Sequence, residues 1–475
     1  MRLFFSRFHP RYIRSLVYML QASEYKAQDY LAWLHDVKDF RFVEKRKQIK
    51  WSAKTVLLVF VGLMLLISIA SSGLWLIIAT NLPFRHVLGA AIIILSPILL
   101  SYLILAPLTI IQLLVQKPIE FVIIYFAKKK LAEHHGVKIA IAGSYGKTSM
   151  REILKTVLSE DKEVAAPPHS YNTPLGISKF IKTLRGNEEV LIFELGEYYP
   201  GDVKRLCKLI NPDIGIITGI NEAHLQKFKT IEKTVQTIYE LADFLGDKPL
   251  YVNGESILAR DHARPNHIMY SREGVNSWRM ENAHSDLSGT SFVMEKNNVP
   301  MEIRSSLLGL HQIGPLALSA DLARRLGSTP SHIRAGTLKT KPFDHRLAPS
   351  VDRNGVTTLD DSYNGNPDGV KAVIAFLASL NGRRFYVTPG LVEMGSKKEE
   401  VHREIGRELA RAQIEKVVLV KNSVTPFIEE GLYEEKYEGE VIWFDEALKS
   451  FAALPRITVK GDIVLLQNDW PDQYI

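Results

Sequence analysis

The chain has 475 residues, of which 46% are hydrophobic and 23% charged, and its formal net charge is +7. This length and composition predict two or three packed domains and exclude a wholly disordered chain. The single cysteine, Cys207, excludes an intrachain disulfide and a zinc site built from several cysteines, and it favours a reducing compartment.

The net positive charge is concentrated at the N-terminus. Residues 1–54 contain twelve Lys or Arg and five Asp or Glu, so the rest of the chain is neutral overall. The anionic cytoplasmic face of a membrane attracts a basic segment of this kind when an apolar run follows it. No basic stripe with interleaved aromatic residues follows, and we therefore expect no nucleic-acid partner.

Residues 1–54 form a basic N-terminal segment in which aromatic residues are mixed with Arg and Lys, as in "RLFFSRFHPRYIRSLVYML". This composition is typical of an amphipathic helix that lies in the membrane surface. A helix packed on a soluble domain is an equally good interpretation, and the sequence leaves both open.

Two apolar runs follow, at residues 55–80 and 87–115, and neither contains a charged residue. Each exceeds the ~20 apolar residues that cross a bilayer core. Basic residues flank the pair: Lys45, Arg46, Lys47, Lys50 and Lys54 before it, and Lys128, Lys129 and Lys130 after it. The sequence therefore predicts a transmembrane hairpin and linker over residues 55–135, in the cytoplasmic (inner) membrane, with both flanks in the cytoplasm. Buried core helices and a cleaved signal peptide are weaker alternatives, because the runs lack a polar face and begin far from the N-terminus.

From about Val137, short β-rich runs alternate with helical patterns. The predicted strands are "KIAIA", "VLIFEL" and "DIGIITGI", then "VTTLDD", "RRFYVTPG", "KVVLV" and "DIVLLQ". This alternation predicts an α/β fold with a doubly wound parallel sheet. We expect a central domain over residues 136–340 and a smaller Rossmann-like domain over residues 341–475. Residues 250–305 form a β-rich excursion to which the pattern assigns no role.

The stretch "GSYGKTS" lies between a predicted strand and an amphipathic helix, the context of a phosphate-binding loop. Gly143 and Gly146 allow backbone N–H groups to point at an anion, and Lys147 supplies a charge to the β and γ phosphates. The hydroxyl of Thr148 or Ser149 can hold Mg²⁺. The predicted ATP-binding loop consists of Gly143, Ser144, Tyr145, Gly146, Lys147, Thr148 and Ser149.

Two further polar residues come at the ends of predicted strands. Glu194 ends "VLIFE", and His224 follows "GIITGI" by a few residues. Ligands of an open parallel sheet bind at the carboxyl ends of its strands, so both side chains are expected near the loop. A carboxylate and an imidazole beside a triphosphate can bind a second Mg²⁺ or a water molecule. The predicted metal ligands are thus Thr148, Glu194 and His224.

Five ordered motifs resemble the Mur ligase family over roughly residues 136–470. They are "AGSYGKTS", "FELGEYYPGDVKRLCKLINPDIGIITGINEAHLQKF", "LLGLHQIGPLALSADLARRLG", "DHRLAPS" and "TLDDSYNGNPDGVKAVI" followed by "VTPGLVEMG". They look most like the branch that adds D-alanyl-D-alanine to the peptidoglycan precursor peptide. The resemblance implies an ADP-forming ligase, in which ATP phosphorylates a carboxylate and an amine then attacks the acyl phosphate.

The resemblance also implies roles for individual residues. Glu194 and His224 fall on metal-ligand positions, and Gln312 falls in a motif that helps to hold adenine. Arg346 and Asp361 fall on positions of the C-terminal domain that close onto the nucleotide. The implied catalytic set is Lys147, His224 and Arg346, and the implied substrate contacts are Asn172, Thr173, Asn364 and Asn366. The loop "DSYNGNP" could instead be a turn whose Asn, Gly and Pro only shape the backbone.

The chain departs from the family pattern at several positions. The family's carbamylated lysine is replaced by Ile238, the adenine motif reads "HQIGP" with Pro315 in place of an asparagine, and the tail reads "NDWPDQYI" where a Gly-Ser-Arg is expected. Most notably, the hairpin occupies the place of the family's uridine-nucleotide-binding domain.

We therefore expect a membrane-anchored ATP-dependent carboxylate–amine ligase of cell-wall or envelope polymer synthesis, with ATP and Mg²⁺ as cofactors. The expected partners are membrane lipids, an amino acid or dipeptide as the amine, and a carboxylate-bearing peptide held at the membrane, such as a lipid-linked one. Three alternatives stay open: a nucleotide-binding pseudoenzyme that acts as a membrane scaffold, a poly-amino-acid synthase, and a transferase that passes phosphate to a hydroxyl.

Overall fold

The computed structural model describes residues 2–23, 25–43, 48–80, 82–168, 171–221, 228, 230–363, 365–391 and 394–467. The chain forms two compact units, Met1–Val122 and Ile123–Ile475. Helices and strands are numbered below in chain order.

The first unit is helical. Its helices are α1 (Arg2–Ser6), α2 (Tyr12–Ala22), α3 (Ala27–Asp36), α4 (Ala53–Ala79), α5 (Arg85–Leu103) and α6 (Leu105–Ile111), and α7 (Lys117–Ala132) begins within it. By length and composition, two helical stretches are able to cross a membrane: Ala53–Ala79 and Arg85–Ala132. Both predicted apolar runs are therefore helical, and the second helical stretch continues beyond the predicted run.

The two hairpin helices α4 and α5 approach each other closely at a pair of glycines. A Cβ atom added to Gly73 would lie 2.7 Å from the carbonyl oxygen of Gly89, so only glycine permits this contact. Further along α5, Pro97 lacks the N–H that would bond to the carbonyl of Ile93. The hydroxyl of Ser96 donates to that carbonyl at 2.8 Å instead, which keeps the helix intact around the proline.

The N-terminal helices pack against the hairpin helices. The Tyr12 hydroxyl donates to the carbonyl oxygen of Pro97 at 2.8 Å, and the Tyr30 hydroxyl donates to that of Ser101 at 2.7 Å, both in buried positions. Leu16 and Leu20 of α2 share an apolar core with α4 and α5. Neither interpretation of residues 1–54 included this packing, which depends on contacts between residues more than 70 positions apart.

The second unit contains a ten-stranded sheet followed by a six-stranded one. The strands of the first sheet are β1 (Val137–Ala142), β2 (Val164–Ala165), β3 (Val190–Glu194), β4 (Ile214–Ile217), β5 (Leu250–Asn253), β6 (Ile268–Tyr270), β7 (Gly274–Val275), β8 (Trp278–Asp286), β9 (Gly289–Lys296) and β10 (Val299–Ser305). The helices around it are α8 (Lys147–Leu158), α9 (Pro174–Thr183), α10 (Asp202–Ile210), α11 (Ile231–Leu245), α12 (Ile257–Asp261), α13 (Ile313–Arg325) and α14 (Pro330–Leu338). The strand order is β10-β9-β8-β7-β6-β5-β4-β1-β3-β2.

The predicted parallel strands are parallel, but the whole sheet is mixed, because the excursion to which the sequence pattern assigned no role adds antiparallel strands. Strands β1 to β6 are parallel, but β7 to β10 add an antiparallel extension. Asn297 and Asn298, with φ of +53° and +62°, join β9 to β10 in a two-residue turn of the kind that favours antiparallel hairpins. The extension accounts for most of the excursion at residues 250–305.

Helices cover both faces of the parallel strands, as the doubly wound prediction requires. Ile139 and Ile141 of β1 belong to a core shared with α8 and α13, whereas Ala140 and Ala142 belong to a core shared with α9, α10 and α11. Five residues of α8 at helical spacing are buried against the first core: Met150, Ile153, Leu154, Val157 and Leu158.

The six-stranded sheet has one antiparallel edge. Its strands are β11 (Ala348–Val351), β12 (Thr357–Asp361), β13 (Arg384–Thr388), β14 (Lys416–Val420), β15 (Glu440–Phe444) and β16 (Ile463–Gln467), in the order β11-β12-β16-β13-β14-β15. Strands β12 to β16 are parallel, and β11 pairs antiparallel with β12. Helices α15 (Pro367–Ser379), α16 (Lys398–Arg411) and α17 (Thr425–Glu434) cover one face, and α18 (Ala447–Ile457) covers the other. The four strands predicted from sequence here are present.

Candidate active site

The loop between β1 and α8 has the geometry of a phosphate-binding turn. β1 ends at Ala142 and α8 begins at Lys147, while Gly143 and Gly146 between them have φ of +145° and +78°. The neighbouring strand β4 holds the loop, because the N–H of Thr218 donates to the carbonyl of Ala142 at 2.9 Å. A Cβ atom on Gly143 would lie 2.3 Å from the Thr218 hydroxyl, so this position requires glycine both for its φ and for the close approach.

The other loop residues are held by backbone contacts to the end of β4. The N–H of Ser144 donates to the carbonyl of Gly219 at 2.7 Å, and the Thr218 hydroxyl donates to the carbonyl of Tyr145. The Tyr145 ring packs on Gly219, where a Cβ atom would approach it to 2.3 Å. Ser149 lies in the first turn of α8. The predicted loop is thus held in place by residues at the end of the neighbouring strand.

Lys147 forms a buried ion pair that the sequence analysis did not foresee. Its Nζ atom lies 2.6 Å from Oε1 of Glu197 and also donates to the carbonyl of Gly143. The two side chains of the pair are only 12% and 3% exposed. Glu197 follows Glu194 by three residues, and the rule that picked out Glu194 at the end of β3 could have included it.

Glu194 is the last residue of β3 and lies beside Ile141 of β1 in the strand register. The Thr148 hydroxyl donates to its Oε2 at 3.3 Å, and Nη1 of Arg151 lies 2.9 Å from its Oε1. Burial raises the pKa of Glu194, while the positive charges of Arg151 and Lys147 oppose that shift. The structure therefore brings Thr148 and Glu194 together at the start of α8 as predicted, and it adds Arg151 to the group.

These residues suit a magnesium ion that arrives with phosphates. The Thr148 hydroxyl and the Glu194 carboxylate are neighbouring hard oxygen donors, which Mg²⁺ prefers together with phosphate oxygens and water. Within the described part of the chain, no group of three or more His, Cys, Asp or Glu side chains is placed to hold a metal without such help. His224 lies outside the described residues, so its predicted role stays a prediction.

We expect replacement of Arg151 by methionine to lower the free energy of unfolding by about 3 kcal/mol, because Glu194 would keep a buried charge without its closest cation. Denaturant unfolding followed by circular dichroism measures this change. The control is Arg403→Met, which removes a partly exposed pair with Glu430 and should cost less than about 1 kcal/mol. Equal losses in the two variants would contradict the interpretation of a buried pair.

Asp361, at the end of β12, is a half-buried carboxylate that accepts two hydrogen bonds. It accepts hydrogen bonds from the N–H of Leu347 at 3.1 Å and from the Gln467 amide at 2.9 Å. Burial raises the pKa of Asp361 to about 6, and the hydrogen bond from Gln467 and the charge of Arg346 oppose that shift. The carboxylate can therefore change its charge close to neutral pH.

Arg346 belongs to the same electrostatic group. Its guanidinium lies 5.1 Å from the centre of the Tyr363 ring. Burial lowers the pKa of Arg346, and the negative charges of Asp361 and Glu194 are among those that oppose the shift. Two predicted C-terminal residues, Arg346 and Asp361, thus act on each other, and Arg346 also experiences the charge of the carboxylate beside the phosphate-binding loop.

The raised pKa of Asp361 predicts a pH dependence of stability. Because the folded pKa of about 6 exceeds the usual 3.8, the native state binds the proton more tightly, and this stabilisation is lost as pH rises through 6. The thermal unfolding midpoint of Asp361→Asn, measured relative to that of wild type, should therefore rise between pH 4.5 and pH 7. The exposed Asp247 provides the control variant Asp247→Asn. An unchanged difference between wild type and Asp361→Asn would contradict the titration.

The loop "DSYNGNP" contacts the end of β4. The Asn221 amide donates to Oδ1 of Asn366 at 2.9 Å and to Oδ2 of Asp368 at 3.0 Å. Asn366 also caps α15 by accepting from the N–H of Gly369 at 3.1 Å. Asn366 therefore has both a structural role and a position at the central sheet, whereas Asn364 lies outside the described residues. Asn221 could not be predicted from sequence, since only tertiary packing brings it to this loop.

Asn172 and Thr173 lie beside the loop that follows β3. The carbonyl of Asn172 accepts from the N–H of Gly196 at 2.9 Å, which places it between Glu194 and Glu197 along that loop. The Thr173 hydroxyl accepts from the N–H of Gly176 at 3.2 Å and caps α9. Thr173 thus has a structural function in addition to the predicted substrate contact.

Two departures from the family pattern have clear structural positions. Gln312 lies in a short helical turn just before α13, with its amide nitrogen 2.9 Å from Nε2 of His311. Ile238 of α11 is fully buried in the apolar core of the central domain. The residue at the family's carbamylated-lysine position is therefore part of the packing and supplies no metal ligand.

Comparison with protein families adds to this geometry. The family model for the Mur ligase middle domain matches residues 141–320, and that for the Mur ligase, glutamate ligase domain matches residues 345–467. The chain belongs to the Mur ligase family. The two matched segments contain every described residue of the candidate site, from Gly143 to Gln467.

Curated Mur ligase relatives share about a quarter of their residues with this chain. The UDP-N-acetylmuramoyl-tripeptide–D-alanyl-D-alanine ligase of Bacillus subtilis is 24% identical over 352 residues, 72% of this chain and 75% of the relative. The enzyme of that name from Mycobacterium tuberculosis is 27% identical over 294 residues, 59% of this chain and 58% of the relative. The prediction that the chain is a ligase of the Mur type is confirmed by these matches.

Solved structures of the family share its fold. The MurF ligase from Thermotoga maritima in complex with ADP has a TM-score of 0.66 at 24% identity, covering 74% of this chain and 80% of its own. A pseudomurein peptide ligase type C from Methanothermus fervidus has a TM-score of 0.53 at 17% identity, covering 70% and 76%. The α/β architecture with mixed sheets is therefore that of Mur ligases.

Proposed function

We propose that this protein is a membrane-anchored, ADP-forming carboxylate–amine ligase that faces the cytoplasm and acts in cell-wall or envelope polymer synthesis. The observation that carries the proposal is the meeting of Lys147, Thr148 and Glu194 at the ends of β1 and β3. In this assignment residues 136–340 bind ATP, and residues 341–475 close over it through Arg346 and Asp361.

The reaction has two steps that the residues are placed to support. A substrate carboxylate oxygen attacks the γ phosphorus and ADP leaves; an amine nitrogen then attacks the acyl carbon, phosphate leaves and the nitrogen loses a proton. Lys147 and the loop N–H groups stabilise the charge on the transferred phosphoryl group. Thr148 and Glu194 are the residues that would hold Mg²⁺, which when bound neutralises part of the phosphate charge.

The membrane anchor is supported by the surface of the hairpin helices. Five large apolar side chains on α4 and α5 illustrate this, since they are 43–70% exposed: Phe60, Trp75, Ile78, Leu88 and Leu95. Contiguous apolar surface of this extent on two long helices matches a lipid environment better than water. The Lys and Arg residues on both sides of the hairpin favour a cytoplasmic position for the second unit.

The substrate class follows from the relatives and from the anchor together. The curated relatives carry names that specify a UDP-linked muramoyl tripeptide and D-alanyl-D-alanine. We propose D-alanyl-D-alanine or a single amino acid as the amine here. For the carboxylate we propose a peptide held at the membrane, such as a lipid-linked precursor, because the hairpin precedes the ATP-binding domain.

The test is ADP release by the purified chain in detergent with ATP and Mg²⁺. Each amine (D-alanyl-D-alanine, glutamate and other amino acids) is combined with either a lipid-linked or a UDP-linked peptide, and products are identified by mass spectrometry. We expect ADP release only when both carboxylate and amine are present, together with an amide product. A phosphorylated hydroxyl product without an amide would replace the proposal with a phosphoryl transferase.

A nucleotide-binding scaffold without catalysis is the second candidate, and one observation favours it. Ile238 is fully buried where the family carries its metal-binding lysine, so that ligand is missing. Nucleotide binding without ADP release for every substrate pair would identify the scaffold.

A further inference from the structure

Glu197 forms an ion pair with Lys147, the lysine that is expected to bind phosphate. Its Oε1 lies 2.6 Å from Nζ of Lys147, and its side chain is 3% exposed. The nearby Glu194 carboxylate lies beside a second cation, with Oε1 2.9 Å from Arg151, which also pairs with the less buried Glu152. The described site thus contains two carboxylates and two cations within one buried group, and Lys147 already has an anionic partner before any phosphate arrives.

The backbone holds Glu197 in this position from both sides. On one side, the N–H of Gly196 donates to the carbonyl of Asn172 at 2.9 Å. On the other, the N–H groups of Tyr198 and Tyr199 donate to Oδ2 of Asp202 at 3.2 and 2.9 Å. Since the backbone is anchored on both sides of Glu197, its carboxylate stays within reach of Lys147.

We propose that Glu197 makes this site selective for nucleotide that carries its divalent cation, by competing with the phosphates for Lys147. This inference rests on the proposed nucleotide-binding function and adds a specificity-determining residue to it. A metal-free triphosphate would have to take Lys147 from Glu197 and would then lie beside two buried carboxylates. Like charges that lie side by side in a water-poor site repel each other strongly.

A triphosphate complexed with a divalent cation has two fewer negative charges, so the same repulsion is much smaller. The cation also gives the displaced Glu197 carboxylate a positive neighbour, which an uncompensated buried charge requires. Selectivity therefore comes from a repulsive group that penalises the wrong form of the ligand. Replacing Glu197 by glutamine keeps the shape of the side chain and removes the charge.

The test measures nucleotide binding rather than turnover. Dissociation constants for ATP are determined by displacement of a fluorescent ATP analogue from the full chain in detergent, once with excess EDTA and once with excess MgCl₂. For Glu197→Gln we expect metal-free ATP to bind about tenfold more tightly than to wild type, while the magnesium complex changes by less than about threefold. Glu197→Asp keeps the charge and should retain most of the wild-type discrimination.

The matched control is Glu302→Gln, which removes an exposed carboxylate on β10 and should leave both constants unchanged. Thermal unfolding of each variant shows that the fold is intact, and Glu197→Asp carries the test if Glu197→Gln unfolds. The ratio of the dissociation constants of metal-free ATP and its magnesium complex decides the outcome. The inference would be overturned if this ratio were the same in Glu197→Gln as in wild type, or if Glu197→Asp no longer discriminated between the two forms. Absence of ATP binding by the wild-type chain under both conditions would instead refute the proposed function.

Discussion

Replacement of Lys147 by alanine is expected to weaken ATP binding and abolish ADP release, with a loss of at least about a hundredfold in the rate. Lys147 is the cation at the start of α8 that is placed to meet the phosphates. Its removal also leaves the Glu197 carboxylate buried beside the bound anion, so attraction is replaced by repulsion. ADP release with the substrate pair that the screen under Proposed function identifies, and displacement of a fluorescent nucleotide, measure the two effects.

The control for this variant is on the same helix. Lys155 of α8 is exposed, and Lys155→Ala removes an equal charge at a position away from the loop. We expect it to retain wild-type binding and turnover. Because Lys147→Ala breaks a buried ion pair, its thermal unfolding must be measured as well. A folded Lys147→Ala variant with near-normal turnover would refute the site.

Deletion of residues 1–120 is expected to move the protein from the membrane fraction to the soluble fraction and to leave ATP binding unchanged within about twofold. The deletion removes α4, α5 and their exposed apolar side chains, but it retains the part of α7 that belongs to the central domain. Ala127 and Leu131 of α7 are buried in a core shared with α9, α10 and α11. Flotation in a density gradient and nucleotide displacement measure the two outcomes.

A second deletion makes this test sharper. Removing residues 1–134 also takes away Ala127 and Leu131, and it should therefore destabilise the second unit and impair ATP binding. The two truncated chains differ by only fourteen residues, so a contrast between them locates the boundary of the catalytic unit. Loss of ATP binding in the shorter deletion would show that the hairpin is needed for the site.

The local parts of the candidate site could be predicted from sequence because each depends on residues close together in the chain. The glycine spacing of the loop, the strand before it and the apolar face of α8 all occur within residues 137–158. Glu194 could be predicted for a related reason, since the carboxyl ends of parallel strands meet at one edge of the sheet. Its position beside Ile141 in the register agrees with that expectation.

The partners of those residues could not be predicted in this way. Glu197 pairs with Lys147 across fifty positions, Arg151 with Glu194 across 43 positions (194 − 151), and Asn221 with Asn366 across 145 positions. Charges and amides of this kind are common in any sequence, and only the packed structure selects which of them meet. The same holds for the antiparallel extension of the sheet: its β-rich character is visible in the sequence, but its attachment to β6 depends on pairing between strands.

The amino-acid sequence by itself determined the phosphate-binding loop, the two α/β blocks and the apolar hairpin, because short-range spacing and periodicity specify them. Only the tertiary structure decided that Lys147 is neutralised by Glu197, that Glu194 is held by Arg151 and that the N-terminal helices pack on the hairpin. These contacts join distant segments, and burial away from water gives them their strength.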